Sequence, residues 1–261
     1  MEIKAAVEHD KKGALGFVIF DNQTRRNAMT LAMWRSLAST LDGFATDPAV
    51  RTVVLAGAGN HAFVSGSDIS EFDRVRNTPK ATDYYNATVE AAEAKLFRLA
   101  KPTVAKLKGV CVGGGVGIAV CCDIRIASET ARFAVTSAKL GLGYGVNGVK
   151  RIYELVGPSA AADLLYSGRM ISAQEALQIG LVTAVVHDDL IDDHVEDYAE
   201  TIAANAPLSI AASKAAIQAC GDRAIDHEML EKMVNDCYAS DDYTEGRQAF
   251  NKKRKPQFNG K

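Results

Sequence analysis

Phe63-Val64-Ser65-Gly66-Ser67-Asp68 and Gly109-Val110-Cys111-Val112-Gly113-Gly114-Gly115 are the two stretches on which the reading of this chain turns. Each follows an apolar, strand-like run and opens toward a helix-like one. Gly66 permits a tight turn between them, and Ser67 then presents its N–H near a helix start. Gly113-Gly114-Gly115 places flexible backbone at the mouth of a helix expected over residues 115–122. The N–H groups that open a helix have no intrahelical acceptor. Two such groups aimed at one place can hold a developing oxyanion, each being worth roughly 3 kcal/mol in a transition state. Each loop also has a plain structural reading. Gly66 can be a turn glycine with Asp68 a helix cap, and the glycine triplet can serve close packing of strand on helix.

On either side of these loops the hydrophobic pattern alternates between strands and helices. Residues 15–20 are strand-like, 103–107 form an apolar run, 124–127 read as a strand, and 50–56 are a continuous apolar signal of the kind expected of a parallel strand buried on both faces. Residues 29–44 carry helical spacing through Leu31, Trp34, Leu37, Leu41 and Phe44, and residues 82–100 form a long helix candidate. Asp68-Ile-Ser-Glu71 reads as a capping-box-like helix start, and Ser172-Ala-Gln-Glu175 as a capping box. Residues 148–156 and 159–166 read as helices separated by Gly157-Pro158. Gly180 stops a helix, and residues 181–186 form a strand. Beyond residue 188 only helices are expected, over 189–205, 207–220, 226–238 and from 241 to about 253. The pattern is that of an α/β core over residues 1–187 with a helical region over 188–261.

The 261 residues are 48% apolar and 24% charged, so one large domain with a sizeable core is expected. The net charge of −2 gives no bulk attraction to nucleic acid or to anionic membranes. Met1-Glu2-Ile3-Lys4 has neither a basic nor an apolar leader region, and a cytoplasmic location is expected. The longest uncharged run, residues 109–122, is too short and too glycine-rich to span a membrane. The five cysteines are an odd number without a CxxC, which points to free thiols. Cys121-Cys122, in an apolar run, read as small buried residues.

Other motifs lack the setting their chemistry needs. Gly143-Tyr-Gly-Val-Asn-Gly148 matches G-x-G-x-x-G, with Asp163 at about the offset of a ribose-binding acid. Yet Asp163 falls inside a helical segment and the match lies mid-chain, so a dinucleotide site is not expected. The histidines are dispersed without ligand spacing, and no metal is expected.

In this order and setting the two loops resemble those of the crotonase superfamily, the enoyl-CoA hydratases and isomerases, and the resemblance covers nearly the whole chain. Asn27-Ala28 looks like that family's first CoA-binding loop, and Phe63-Val-Ser-Gly-Ser-Asp-Ile69 like its F-x-A-G-x-D-[IL] loop. Lys101-Pro102 through Gly109, Gly113-Gly114-Gly115 and Cys122-Asp123 look like its K-P-x-x-A-x-x-x-G…G-G-G…C-D segment. Gly168 to Ala176, Gly180-Leu-Val182, Tyr243-Thr-Glu-Gly246 and Ala249-Phe250 match later parts. The resemblance implies a spiral of ββα turns, a C-terminal helical trimerisation region, and trimers or dimers of trimers. It implies acyl-CoA thioesters as substrates, with no cofactor beyond the coenzyme A that the substrate carries. The thioester oxygen would sit between the N–H groups of Ser67 and Gly114. Ser65, Asp68 and Ile69 would line the CoA path, with Arg25, Arg26 and Ala28 near its pantetheine and phosphates. Phe250 and Lys253 would cap its adenine end, from the same or a neighbouring subunit.

The chain departs from this pattern where protons move. Hydratases of the family use two glutamates. The first, two residues after the glycine triplet, is Gly117 here, and the second, after Arg132-Phe133, is Ser137. Neither can act as a carboxylate acid or base. Thr136-Ser-Ala-Lys-Leu-Gly-Leu-Gly-Tyr144 resembles a stretch of the methylmalonyl-CoA decarboxylases, whose tyrosine faces the acyl group. Decarboxylation needs an oxyanion hole but no general base, and a phenol can donate a hydrogen bond without ionising. The leading expectation is therefore a Tyr144-assisted lyase or decarboxylase acting through a thioester enolate, with Ser67, Gly114 and Tyr144 as its catalytic groups. Two alternatives stand beside it: a hydratase or isomerase with displaced catalytic groups, and a silent acyl-CoA binder. Tyr144 can also be a pocket wall, and Tyr84 and Tyr85 are further candidates.

Overall fold

A computed structural model describes residues 6–220 and 226–261; the N-terminal tetrapeptide read above lies outside the described residues. The chain opens with an antiparallel hairpin, β1 (Ala6–Lys12) and β2 (Leu15–Asp21). Helix α1 (Leu31–Thr46) begins at Thr30, whose side chain accepts from Met33 N–H. Its apolar stripe of Met33, Trp34, Leu37, Leu41 and Phe44 is buried, as the spacing predicts.

A repeating unit follows. β3 (Thr52–Gly57) leads to the short β4 (Ala62–Val64), then α2 (Phe72–Val75) and α3 (Pro79–Arg98). β5 (Thr103–Leu107) leads to β6 (Val110–Val112) and α4 (Gly114–Ala119). β7 (Ile124–Ser128) leads to β8 (Arg132–Ala134) and α5 (Val146–Ala162). β9 (Ile171–Ser172), α6 (Ala173–Gln178) and β10 (Ala184–Val186) complete the last turn. The first strand of each unit joins a six-stranded sheet, β1-β2-β3-β5-β7-β10, parallel beyond the opening hairpin. The second strand joins a four-stranded sheet, β4-β6-β8-β9, antiparallel only at β9. This is the expected spiral of ββα turns.

Four helices follow: α7 (Ile191–Ala203), α8 (Pro207–Ala219), α9 (His227–Tyr238) and α10 (Asp241–Asn251). The large sheet carries apolar residues on both faces. One face packs on α1 and the small sheet; the other receives Ile191, Val195, Ala199 and Ala203 of α7 against Leu15, Val54, Val104 and Ile126. α8 is tied in through Lys214, whose ammonium is buried and lies 2.7 Å from Asp123 Oδ2. The same carboxylate oxygen accepts from Thr103 N–H and Oγ1, at 2.8 and 2.9 Å.

Some expectations change in detail. Asp68–Glu71 is not a capping box: Asp68 caps Ser70 N–H in a short 3-10 turn, while Glu71 reaches across to accept from Leu31 N–H at 2.6 Å. Glu71 thus satisfies one of the orphan donors at the start of α1. The capping box at Ser172 and Glu175 is present with both reciprocal bonds. The long helix starts earlier than expected, at Pro79 after the Thr78 cap, because proline at the first helical position loses no bond. Strand β1 escapes the sequence reading because its segment is polar and solvent-facing along most of its length.

Candidate active site

The two glycine-bearing loops lie side by side because the strands before them pair, Ala62 with Val110 and Val64 with Cys111. Each chain then turns through a glycine in the left-handed region, Gly66 at φ +110° and Gly113 at φ +54°. A side chain would be strained at either position. The first loop is pinned to the segment before α1, where Met29 N–H donates to Gly66 O and Asp68 N–H donates to Met29 O, both at 2.8 Å. Ser67 N lies between these anchors. A Cβ placed on Gly114 would sit 3.8 Å from Ser67 N, and one on Gly66 would sit 3.9 Å from Gly114 N. Gly114 opens α4, and among the described residues neither N–H has an acceptor. Gly115 is fixed by closeness: any Cβ there would run into the carbonyl of Val64.

Both N–H groups face a cavity of about 270 Å³. Its apolar wall comes from Trp34, Phe72, Tyr85, Val89, Leu142 and Tyr144. Trp34 Nε1 and Tyr85 Oη are buried there with no hydrogen-bond partner among the described residues. Burial pushes the Tyr85 phenol up, and Ser67 and Trp34 stand close enough to counter part of that push.

Tyr144 lines the same cavity, but its hydroxyl donates to Gly113 O at 3.1 Å. Its surroundings hold the phenol well above its ordinary range, chiefly through burial and then through the nearby Glu93. Gly148 packs against the Tyr144 ring, which accounts for the last glycine of the G-x-G-x-x-G match. Asp163 is partly exposed and paired with Arg169 at 2.7 Å, away from the cavity.

Gly117 and Ser137 are where the family resemblance places glutamates, and Ser137 does line the cavity. Gly117 is buried, one turn below Gly113, to whose carbonyl its N–H donates at 3.1 Å. A Cβ on Gly117 would collide with Glu93 Oε1 and would lie 3.2 Å from Tyr144 Oη. Glu93 comes from α3 and lines the cavity. Its Oε2 pairs with Arg151 Nη1 of α5 at 3.3 Å, with both side chains nearly buried. The Arg151 guanidinium also stacks over Phe97, 4.8 Å from the ring centre. Desolvation raises the Glu93 pKa to about 7, assisted by Glu90 and opposed by Arg151. Sequence reading missed Glu93. The signal was its place in the stripe Tyr85, Val89, Ala92, Leu96, where an acid four residues after Val89 must point inward.

The remaining sequence candidates divide. Ser65 and Ile69 line the cavity mouth, and Ser65 Oγ donates to Arg25 O at 3.0 Å. Arg25 and Arg26 are exposed beside it. Ala28 is buried, and its carbonyl accepts from Asn22 Nδ2 at 2.8 Å. Asn27, at φ +58°, spends its amide on Ala58 O and Ala62 O, so it ties loops together. Asp68 is engaged with Ser70. Phe250 is almost fully exposed on α10, on a groove formed with α8 and α9, and neither it nor Lys253 lines the cavity of this chain. Tyr84 points outward to Arg35, whose Nη2 donates to its hydroxyl at 2.6 Å. Cys111, Cys121 and Cys122 are buried free thiols; burial pushes Cys122 up to about 12, which suits packing and not nucleophilic attack. Among the described residues no group of three His, Cys, Asp or Glu is placed to hold a metal, and no helix is long and apolar enough to cross a membrane.

A two-sheet ββα spiral with two N–H groups, free among the described residues, converging on one partly apolar cavity defines an enzyme of the crotonase class. The sequence profile of the enoyl-CoA hydratase/isomerase family matches residues 10–261, and the chain belongs to that family. It is 33% identical over 248 residues to a short-chain-enoyl-CoA hydratase of Clostridium acetobutylicum, covering 94% of each chain. It is 36% identical over 223 residues to an (E)-benzylidenesuccinyl-CoA hydratase of Thauera aromatica, covering 82% of this chain and 84% of that one. The solved structure of an enoyl-CoA hydratase/carnitine racemase from Magnetospirillum magneticum superposes with a TM-score of 0.92 at 35% identity, covering 98% and 96% of the two chains.

Proposed function

We propose that this protein hydrates or isomerises an enoyl-CoA thioester through an enolate whose oxygen is held by the N–H groups of Ser67 and Gly114. The observation that carries this reading is the pair of unengaged N–H groups on adjacent turns of the spiral, facing one cavity. A thioester carbonyl gains charge as the enolate forms, and fixed donors in a dry site stabilise that charge without reorganising. The unpartnered Trp34 Nε1 and Tyr85 Oη favour a guest that also carries oxygen. The hydratase names of its relatives favour addition of water over loss of carbon dioxide.

One observation supports the decarboxylase reading: Tyr144 stands in the cavity wall, as its motif implies. Its proton, however, is directed at Gly113 O and not at the cavity. Incubation with crotonyl-CoA and with methylmalonyl-CoA separates the two readings. We expect loss of the conjugated thioester absorbance with the first and no carbon dioxide from the second. Release of carbon dioxide from carboxylated acyl-CoAs alone would reverse the assignment. Tight CoA binding with no turnover of any thioester would leave a silent binder.

A further inference from the structure

We propose that Glu93 is the acid–base residue of this site, reaching from α3 into the space that a glutamate on α4 would fill if position 117 carried one. The inference rests on the enolate reading above and adds to it the group that moves the proton.

Geometry comes first. The volume beyond Gly117 is not empty: the carboxylate of Glu93 already occupies it, since a Cβ at 117 would strike Glu93 Oε1. That volume lies one helical turn from Gly114, whose N–H is half of the oxyanion hole. The two Glu93 oxygens have different surroundings. Oε2 is held by Arg151 Nη1, and Arg151 is itself held over Phe97. Oε1 takes no hydrogen bond from any described residue and is not sealed from the cavity that Glu93 lines. A carboxylate serving only as a structural ion-pair partner has no need to leave one oxygen unpartnered at a binding cavity. The absence of a side chain at 117 makes room for Glu93, so two departures from the family pattern explain each other.

The groups facing Glu93 are Arg151 from α5, Tyr144 from the loop before it, Cys121 behind α4, and Glu90 one turn earlier on α3. Glu90 is occupied by Asn147, whose Nδ2 donates to it at 2.6 Å. Burial dominates this balance and sets the carboxyl near pH 7, where one group can both take and return a proton.

The chemistry balances with one carboxylate. Glu93 takes the proton from the acyl Cα; the C–H electron pair becomes the enolate double bond, and the charge moves to the thioester oxygen at Ser67 and Gly114. The same proton returns to Cα, or to Cγ of a dienolate, which shifts the double bond. In hydration, water forms the Cβ–O bond as Glu93 takes its proton, and Glu93 then gives that proton to Cα. Ser137 need supply no carboxylate.

The test uses washout of deuterium from Cα of deuterated butanoyl-CoA in ordinary water, with CoA-ester binding measured in parallel. The wild-type chain should exchange, with a rate that falls as pH drops below about 7. Glu93→Gln should bind the thioester and exchange about 100-fold more slowly or worse, without that pH limb. Adding Gly117→Glu to Glu93→Ala, which vacates that volume, should recover part of the rate from the opposite wall. Glu93→Asp keeps the charge opposite Arg151 while withdrawing the oxygen; it should fold and be slow. Folded Glu93→Gln or Glu93→Asp variants that exchange at the wild-type rate would overturn the role of Glu93 and leave the enolate reading intact. A wild-type chain that binds acyl-CoA but never exchanges would overturn the enolate reading and this inference together.

Discussion

Tyr144 and Glu93 share one cavity wall, and only one of them was visible in the sequence. Tyr144 stands in a recognisable run of residues, whereas Glu93 stands in a helix where acids usually face water. What turns Glu93 inward is its phase in the stripe from Tyr85 to Leu96, which a motif comparison does not register. The roles also separate by hydrogen bonding. The Tyr144 hydroxyl is committed to Gly113 O, and Glu93 Oε1 is not committed. Tyr144→Phe is therefore expected to cost about 1 kcal/mol of stability and to change turnover of an enoyl-CoA only a few-fold. Denaturant unfolding and steady-state rates check this. A collapse of turnover with binding retained would restore Tyr144 to a catalytic place.

At the scale of the element, the strands of the large sheet were legible because β3, β5 and β7 are rich in Val, Leu, Ile and Ala, with Lys106 and Arg125 as charged interruptions in β5 and β7. The hairpin strand β1 was not, since its side chains face solvent and its existence depends on pairing with β2. Some motif residues turn out to hold elements together. Asp123, read as part of a C-D motif, joins β5 to α8 through Thr103 and Lys214. Removing Lys214 strips the charge partner from that carboxylate. Asp123 keeps its Thr103 hydrogen bonds and some contact with water, so Lys214→Ala should lower unfolding free energy by about 1.5 kcal/mol. Lys232→Ala, which removes an exposed pair with Asp236 on α9, should cost less than about 0.5 kcal/mol. Chemical denaturation of the two variants side by side makes the comparison. Equal losses would mean that α8 is not anchored at Asp123.

For the molecule as a whole, the buried acid makes stability depend on pH in a definite direction. The Glu93 carboxyl titrates near 7 in the folded chain and near its usual 4.5 when unfolded. Between those values the native state keeps a proton that the unfolded state has released, so stability declines as pH rises through that window. Glu93→Gln carries no such proton. The wild-type melting temperature should therefore fall relative to that of the variant between about pH 4.5 and about pH 7. A constant difference across that range would mean the carboxyl titrates normally. The trimer expected from the family resemblance is a separate question for light scattering on the whole chain. The order of the large sheet also bears on how the chain is made. Beyond the opening hairpin its strands lie in the sequence in which they leave the ribosome, so each new strand meets a partner already in place. The two glycine-bearing loops and Glu93 are complete by residue 115, while Arg151 has yet to be synthesised. During that interval the residues that bury Glu93, Tyr144 and Arg151 among them, are also absent, so its carboxyl stays hydrated and ionised and takes up its proton only when they close over it.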